Sequence, residues 1–180
     1  MILTGKEIIS QVRLGNITIK PFNAENVNPN SVNYTLGDKI VLLPNGSVNK
    51  TSEIVEINIS KKGYLLKANQ VYLGVTNEII GSEKYVTSLI GRSSIGRLGL
   101  FLQLSADLGN LGNAHRWTLE LACVQPIYIY PNMKIGQVSF WQPEGKHENY
   151  SSGYSLYNVP HTCEDNKLRV RYNDINRERD

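Results

Sequence analysis

The chain has 180 residues, 41% of them hydrophobic, with a formal net charge of +3 and a sequence pI of about 8.8. That length fits one domain, or one domain with a small appendage, with enough apolar material for a core. The charge is compatible with anionic small molecules but too weak to point to a nucleic-acid partner, and no apolar run is long enough for a helical membrane span.

Thr4-Gly5-Lys6-Glu7 has the form of a capping box, in which Thr4 caps a helix and Glu7 reaches back to it. Met1-Ile2-Leu3-Thr4 does not read as the start of a signal peptide, so a cytoplasmic protein with no membrane partner is expected. Ile8, Ile9 and Val12 fall on one helical face, and Gly15 is placed to stop the helix. Asn45-Gly46, after an apolar run over residues 40–43, predicts a hairpin turn. Residues 53–59 alternate, with Val55, Ile57 and Ile59 on one side and Ile54, Glu56 and Asn58 on the other. Further strands are predicted over residues 64–67, 70–76, 85–90, 100–104, 117–124, 127–130 and 136–141, the last of them punctuated by Pro126 and Pro131-Asn132. Many short strands at close spacing predict a mainly β barrel or sandwich with a minor helical part. From residue 144 the composition turns polar, rich in Tyr, Asn and charge. This divides the chain into a β domain over 1–143 and a C-terminal arm over 144–180, of a kind that often covers a site. Cys123 and Cys163 are far apart and form no CxxC pair, which leaves no structural zinc set and predicts unpaired thiols, Cys123 in a strand core.

Three stretches carry candidate chemistry. Gly91-Arg92-Ser93-Ser94-Ile95-Gly96-Arg97-Leu98-Gly99-Leu100 packs two arginines, two serines and three glycines between predicted strands. Glycine permits close backbone approach, arginine forks match phosphate oxygens, and serine hydroxyls can hold a water. Taken alone, this is either a phosphate-handling turn or a solvated surface turn. Residues 105–113 form a Gly- and Asn-rich loop. Its backbone could read a base edge and Asn110 a sugar hydroxyl, or it is a long hairpin connection. In Trp117-Thr118-Leu119-Glu120-Leu121, Glu120 sits in an apolar strand. A carboxylate there is costly unless exposed, paired or working, so Glu120 is either a general base and acid or an outward-facing strand residue. His115, His147 and His161 pair with no Ser or Cys at a triad spacing and are expected to be solvated.

In this order the three stretches resemble the dCTP deaminase branch of the trimeric dUTPase superfamily. Residues 91–100 are similar to that family's GRSSxxRLGL motif at every fixed position, and Ser93 and Glu120 lie 27 residues apart, as in an ungapped match. The likeness extends to Asn33-Tyr34-Thr35-Leu36-Gly37, to Val75-Thr76-Asn77-Glu78 and to Ile129-Tyr130-Pro131-Asn132-Met133-Lys134-Ile135-Gly136-Gln137. The resemblance implies a distorted, dUTPase-like β-barrel in a homotrimer, with each site shared between subunits. It implies metal-free deamination of dCTP to dUTP and ammonia. On that reading Glu120 takes the proton of the attacking water and later delivers it to the leaving ammonia. Ser93 helps hold the water and Arg97 supports the site electrostatically. Arg92 engages the triphosphate, whose charge Mg²⁺ also neutralises, and the Ala106 backbone screens the base edge. Ser94, Asn110, Gln137, Tyr150 and Tyr154 complete the implied substrate contacts. The chain also departs from the family. Asn110 stands where most relatives carry an aspartate that organises the sugar and the attacking water in dUTP hydrolysis, and asparagine has neither its charge nor its basicity. Asn113 and His115 replace an aromatic residue and a glycine, and Gly153 stands where a phosphate-binding lysine is expected. The readings therefore rank as a dCTP deaminase releasing dUTP, then a dUTP diphosphatase or bifunctional enzyme, then a non-catalytic nucleotide-binding protein.

Overall fold

The structure, a computed structural model, describes residues 1–42, 55–103, 106–112 and 114–150. Helix α1 (Gly5–Arg13) forms where the capping pattern places it. Thr4 accepts the Glu7 N–H at 3.4 Å, and Gly15, at φ 78°, follows the C-cap Leu14. The returning half of the capping box is not made. Glu7 Oε1 instead accepts from Gln11 Nε2 at 2.6 Å, one turn on, which serves a side chain buried against the domain. Ile8 anchors the helix in the core.

The strands follow as β1 (Thr18–Lys20), β2 (Val32–Thr35), β3 (Lys39–Leu42), β4 (Val55–Asn58), β5 (Tyr64–Leu66), β6 (Gln70–Val75), β7 (Ile79–Gly81) and β8 (Val86–Gly91). A four-residue helical turn, α2 (Ser93–Gly96), precedes β9 (Leu100–Leu102), β10 (Leu108–Gly109), β11 (Thr118–Cys123), β12 (Ile127–Ile129) and β13 (Lys134–Trp141). Two sheets dominate, in the orders β10-β8-β13-β2 and β4-β3-β6-β11-β9, and two smaller ones pair β1 with β7 and β12 with β5. The mainly β class with a short N-terminal helix is as predicted. Among the described residues the sheets are not closed into one barrel, because the three-residue strands β1, β5, β7 and β12 pair only with each other. No helix of the described residues is long and apolar enough to cross a membrane.

Strand alternation builds the core. On β11, Leu119, Leu121 and Cys123 are buried while Thr118, Glu120 and Ala122 face the other way. Val138 and Phe140 do the same on β13. Burying each such large apolar side chain stabilises the fold by about 1.5–3 kcal/mol. The Cys123 thiol lies in the strand core as expected, donating to the Lys67 carbonyl at 3.0 Å. Gly136 on β13 is required by close approach, since a Cβ there would run into the Tyr34 ring. The Tyr34 hydroxyl donates to the Ile90 carbonyl at 3.2 Å, and burial, with the Glu78 charge nearby, pushes its pKa above the usual tyrosine range.

Two expectations change. The apolar side of the 53–59 alternation is not uniformly buried, since Val55 is exposed, Ile57 half-buried and Ile59 buried. The 105–113 loop is not a plain connection, since β10 within it pairs with β8 (Leu108 opposite Ser88, Gly109 opposite Thr87). The Asn45-Gly46 hairpin and residues 53 and 54 lie outside the described residues.

Candidate active site

The arginine- and serine-rich run folds as a cap and a helical turn. Arg92 is the N-cap of α2, and its carbonyl accepts the N–H groups of Ile95 and Gly96 at 3.0 and 2.9 Å. Buried Ile95 pins the turn to the core, which leaves Ser93, Ser94 and Arg97 exposed. Arg92 is half-buried and donates from Nη1 to the Lys134 carbonyl at 3.4 Å. Gly99, at φ 83°, turns the chain into β9. Gln125 Nε2 then donates to the Leu98 carbonyl at 3.0 Å and fastens the turn to the far end of β11.

Glu120 lies on the opposite stretch of the same strand. The β9–β11 register pairs Leu102 with Leu121 and Leu100 with Cys123, so Glu120 sits just past the end of β9. Its N–H donates to Gln103 Oε1 at 2.7 Å, and its carboxylate faces outward. Along this face run Ala122 and Val124, the latter 61% exposed, with Val71 of β6 opposite Ala122 and 45% exposed. The turn that follows α2 adjoins the far end of β11, where the Val124 N–H donates to the Gly99 carbonyl at 3.0 Å. Within one chain, among the described residues, Ser93 and Arg97 make no hydrogen bond or ion pair with Glu120.

The loop between β9 and β11 is tied down at several points. Leu89 N–H donates to the Asp107 carbonyl and Ser88 Oγ to Asp107 Oδ2, both at 2.8 Å. Gln103 Nε2 reaches the Ala106 carbonyl at 3.4 Å. Ala106 and Asn110 are exposed on either side of β10. At Gly112 the chain takes φ 132° and Tyr150 lies close against it, so a side chain there is excluded on two counts. Tyr150 donates its N–H to the Leu111 carbonyl at 2.7 Å and forms a parallel bridge with Gly112, bringing the start of the arm onto this loop. Gln137 sits in the other main sheet, opposite Asn33 and Ile90, with Oε1 accepting from Ser31 Oγ at 3.0 Å. Tyr154, Gly153, Ser105, Asn113, Cys163 and His161 lie outside the described residues.

Sequence reasoning missed a buried polar belt behind the site. Glu78 is only 5% exposed, and its two oxygens accept from the Thr35 N–H and hydroxyl, each at 2.9 Å. Thr76 Oγ1 donates to the Glu78 carbonyl at 2.7 Å and accepts the Trp117 N–H at 2.9 Å. Trp117 Nε1 donates to the Ile80 carbonyl at 2.9 Å. The belt joins two of the resembling segments, 33–37 and 75–78, to the start of the Glu120 strand. The available signal was Glu78 itself, an acid next to an apolar strand. His115, expected to be solvated, is 8% exposed. It is paired through its backbone with Ile80, and its ring lies 4.3 Å from that of Trp117. Its Nδ1 is buried without a partner, and burial lowers its pKa below the ordinary histidine value. A polar groove of about 300 Å³ between Asn16, Thr18, Ser82, Lys84 and Gly112 contains none of the predicted site residues. Among the described residues, no three His, Cys, Asp or Glu side chains are grouped to hold a metal ion.

Residues 2–143 match the family model described as dCTP deaminase-like. A Clostridium botulinum protein named "dCTP deaminase, dUMP-forming" is 44% identical over 155 residues, covering 85% of this chain and 89% of its own. A Cytophaga hutchinsonii protein of the same name is 42% identical over 161 residues, covering 88% and 92%. A Rhodopirellula baltica protein named "dCTP deaminase" is 40% identical over 167 residues, covering 87% and 82%. Among solved structures, the 2'-deoxycytidine 5'-triphosphate deaminase from Agrobacterium tumefaciens superposes with a TM-score of 0.64 at 20% identity. That match covers 77% of this chain and 47% of the solved one.

Proposed function

The chain belongs to the dCTP deaminase-like family, and from that premise we propose that it deaminates dCTP and carries the product on to dUMP. The balance is dCTP plus two waters giving dUMP, ammonia and pyrophosphate. The observation that carries this reading is 44% identity, over 85% of the chain, to a protein named for that outcome. It revises the dUTP product expected from the sequence.

In the proposed chemistry Ser93 holds a water against C4 of cytosine and Glu120 takes its proton as the C–O bond forms. The C4–N3 double-bond pair moves to N3, which takes that proton from Glu120. Glu120 then passes the proton of the new C4 hydroxyl to the 4-amino nitrogen, the C–N bond breaks, and ammonia leaves as the C4 carbonyl forms. Arg97 steadies the charge that develops, and Arg92, Ser94, Gln137, Tyr150 and Tyr154 hold the phosphates and sugar with Asn110. The Ala106 backbone reads the base edge. Mg²⁺ belongs with the triphosphate, whose hard oxygens suit it, and bound there it supplies charge neutralisation. Among the described residues no side chains are grouped to hold a metal ion, so the ion would be held by the phosphate oxygens themselves, with Arg92 as a second source of positive charge.

We assign each site to two subunits of a homotrimer. Support comes from the absence, among the described residues of one chain, of any hydrogen bond or ion pair joining Ser93 or Arg97 to Glu120. It comes also from the uncovered apolar residues between them, Val71, Val124 and Leu98, the last 53% exposed. A neighbouring copy would cover that strip and exclude water from the carboxylate.

Incubation with dCTP or dUTP and Mg²⁺, following ammonia and pyrophosphate separately, tests the reading. Both products from dCTP are expected. Ammonia without pyrophosphate would favour a second reading, release of dUTP, which the uncharged Asn110 supports. No turnover with tight nucleotide retention would leave a binding protein. Mixing Ser93→Ala and Glu120→Gln subunits tests the sharing. Mixed trimers regain activity if the two residues come from different subunits, and stay inactive if one chain supplies both.

A further inference from the structure

Resting on the site assignment above, we propose that Gln103 is a positioning residue that ties the strand carrying Glu120 to the base-reading loop at Ala106. Three described non-glycine residues have positive φ: Asn69, Asn132 and Gln103, the last at φ 50°. Asparagine tolerates this region well, whereas glutamine gains nothing locally from it. Such a conformation persists where its surroundings hold it, and it is frequent at functional sites.

The surroundings of Gln103 are specific. The β9–β11 ladder ends at Leu102 opposite Leu121. At the next position the left-handed turn carries the main chain away, and the Gln103 side chain takes over the bond a further ladder position would have made. Its Oε1 accepts the Glu120 N–H at 2.7 Å. From the other end of the same planar amide, Nε2 points to the Ala106 carbonyl at 3.4 Å. A primary amide suits both partners, since it carries an acceptor and a donor in fixed relation. The two residues it joins belong to the proton-transfer and base-recognition halves of the proposed site. One side chain therefore bridges the two directly, in addition to the ties of the loop to β8, so Gln103 acts through Glu120 and Ala106 without itself touching the reacting atoms.

Gln103→Met keeps the length and removes both bonds, while Gln103→Glu keeps the acceptor toward Glu120 and removes the donor toward Ala106. For Gln103→Met, kcat for ammonia release is expected to fall roughly 10- to 100-fold, the loss typical of misplacing a reacting group by about an ångström. KM should rise and amide exchange at Glu120 should quicken. Gln103→Glu should keep slow exchange at Glu120 and show its defect mainly in KM for dCTP. Wild-type kcat and KM in folded Gln103→Met overturn the proposal, as does a lowered melting temperature with unchanged kinetics of the folded enzyme. Should Gln103→Met not fold, Gln103→Glu decides, and an unchanged KM overturns the tie to Ala106. A wild-type protein that releases no ammonia overturns the site assignment instead. Glu120 amide exchange in the two variants then still tests the tie, and equal exchange in both overturns it.

Discussion

Two glutamates in this chain have opposite surroundings. Glu78 is buried, with both oxygens accepting from Thr35, and it closes a belt that runs through Thr76 to Trp117. Glu120, three residues beyond Trp117, points outward beside apolar residues that are exposed among the described residues. A buried carboxylate is tolerable only when its lone pairs are served, and once served it is committed to structure. A carboxylate that must accept and return a proton needs its oxygens available. The belt fixes the start of β11 so that the next outward position along it can be left free.

Substitutions can separate these roles. Glu120→Gln should lower ammonia release by about 10²- to 10⁴-fold, the usual contribution of a general acid–base group, with an unchanged melting temperature. A fall in melting temperature instead would place Glu120 with Glu78. Glu78→Ala should behave the other way, losing about 3 kcal/mol in urea unfolding as the Thr35 donors go unserved, with kcat of the folded enzyme little changed. Gly136→Ala should cost about 1–3 kcal/mol by the same measurement, because the methyl overpacks against Tyr34. The smallest effect should be pH-dependent. His115 has a pKa held below the ordinary 6.5 by burial, so the unfolded chain takes up the proton first as pH falls. Stability is then full above pH 6.5 and declines as pH drops through 6.5 toward the folded-state value. Melting curves between pH 7.5 and 5 should show the decline, and His115→Asn should flatten it.

Much of the fold was legible where one face of an element is buried and the other is not. The α1 helix and the alternation of β11 and β13 follow from local patterning, and Thr4 and Gly15 mark the helix ends. Strands β1, β2, β7 and β10 were not predicted. They have two to four residues each, and they exist because a distant partner supplies the ladder. Residues 91–100 and Glu120 could be singled out because charge and glycine interrupt apolar runs there. Gln103 could not be, since nothing local announces a side chain standing in for a backbone carbonyl. His115 misled for a related reason. Its burial follows from the pairing with Ile80 and the contact with Trp117, both invisible in a polar, glycine-rich stretch.

The attachment of Tyr150 to Leu111 and Gly112 sets a tethering point. The described chain therefore reaches residue 150 at the edge of the loop that carries Asn110, rather than at the far end of β13, so a change at Gly112 that displaces Tyr150 would move the entry point of everything attached to it.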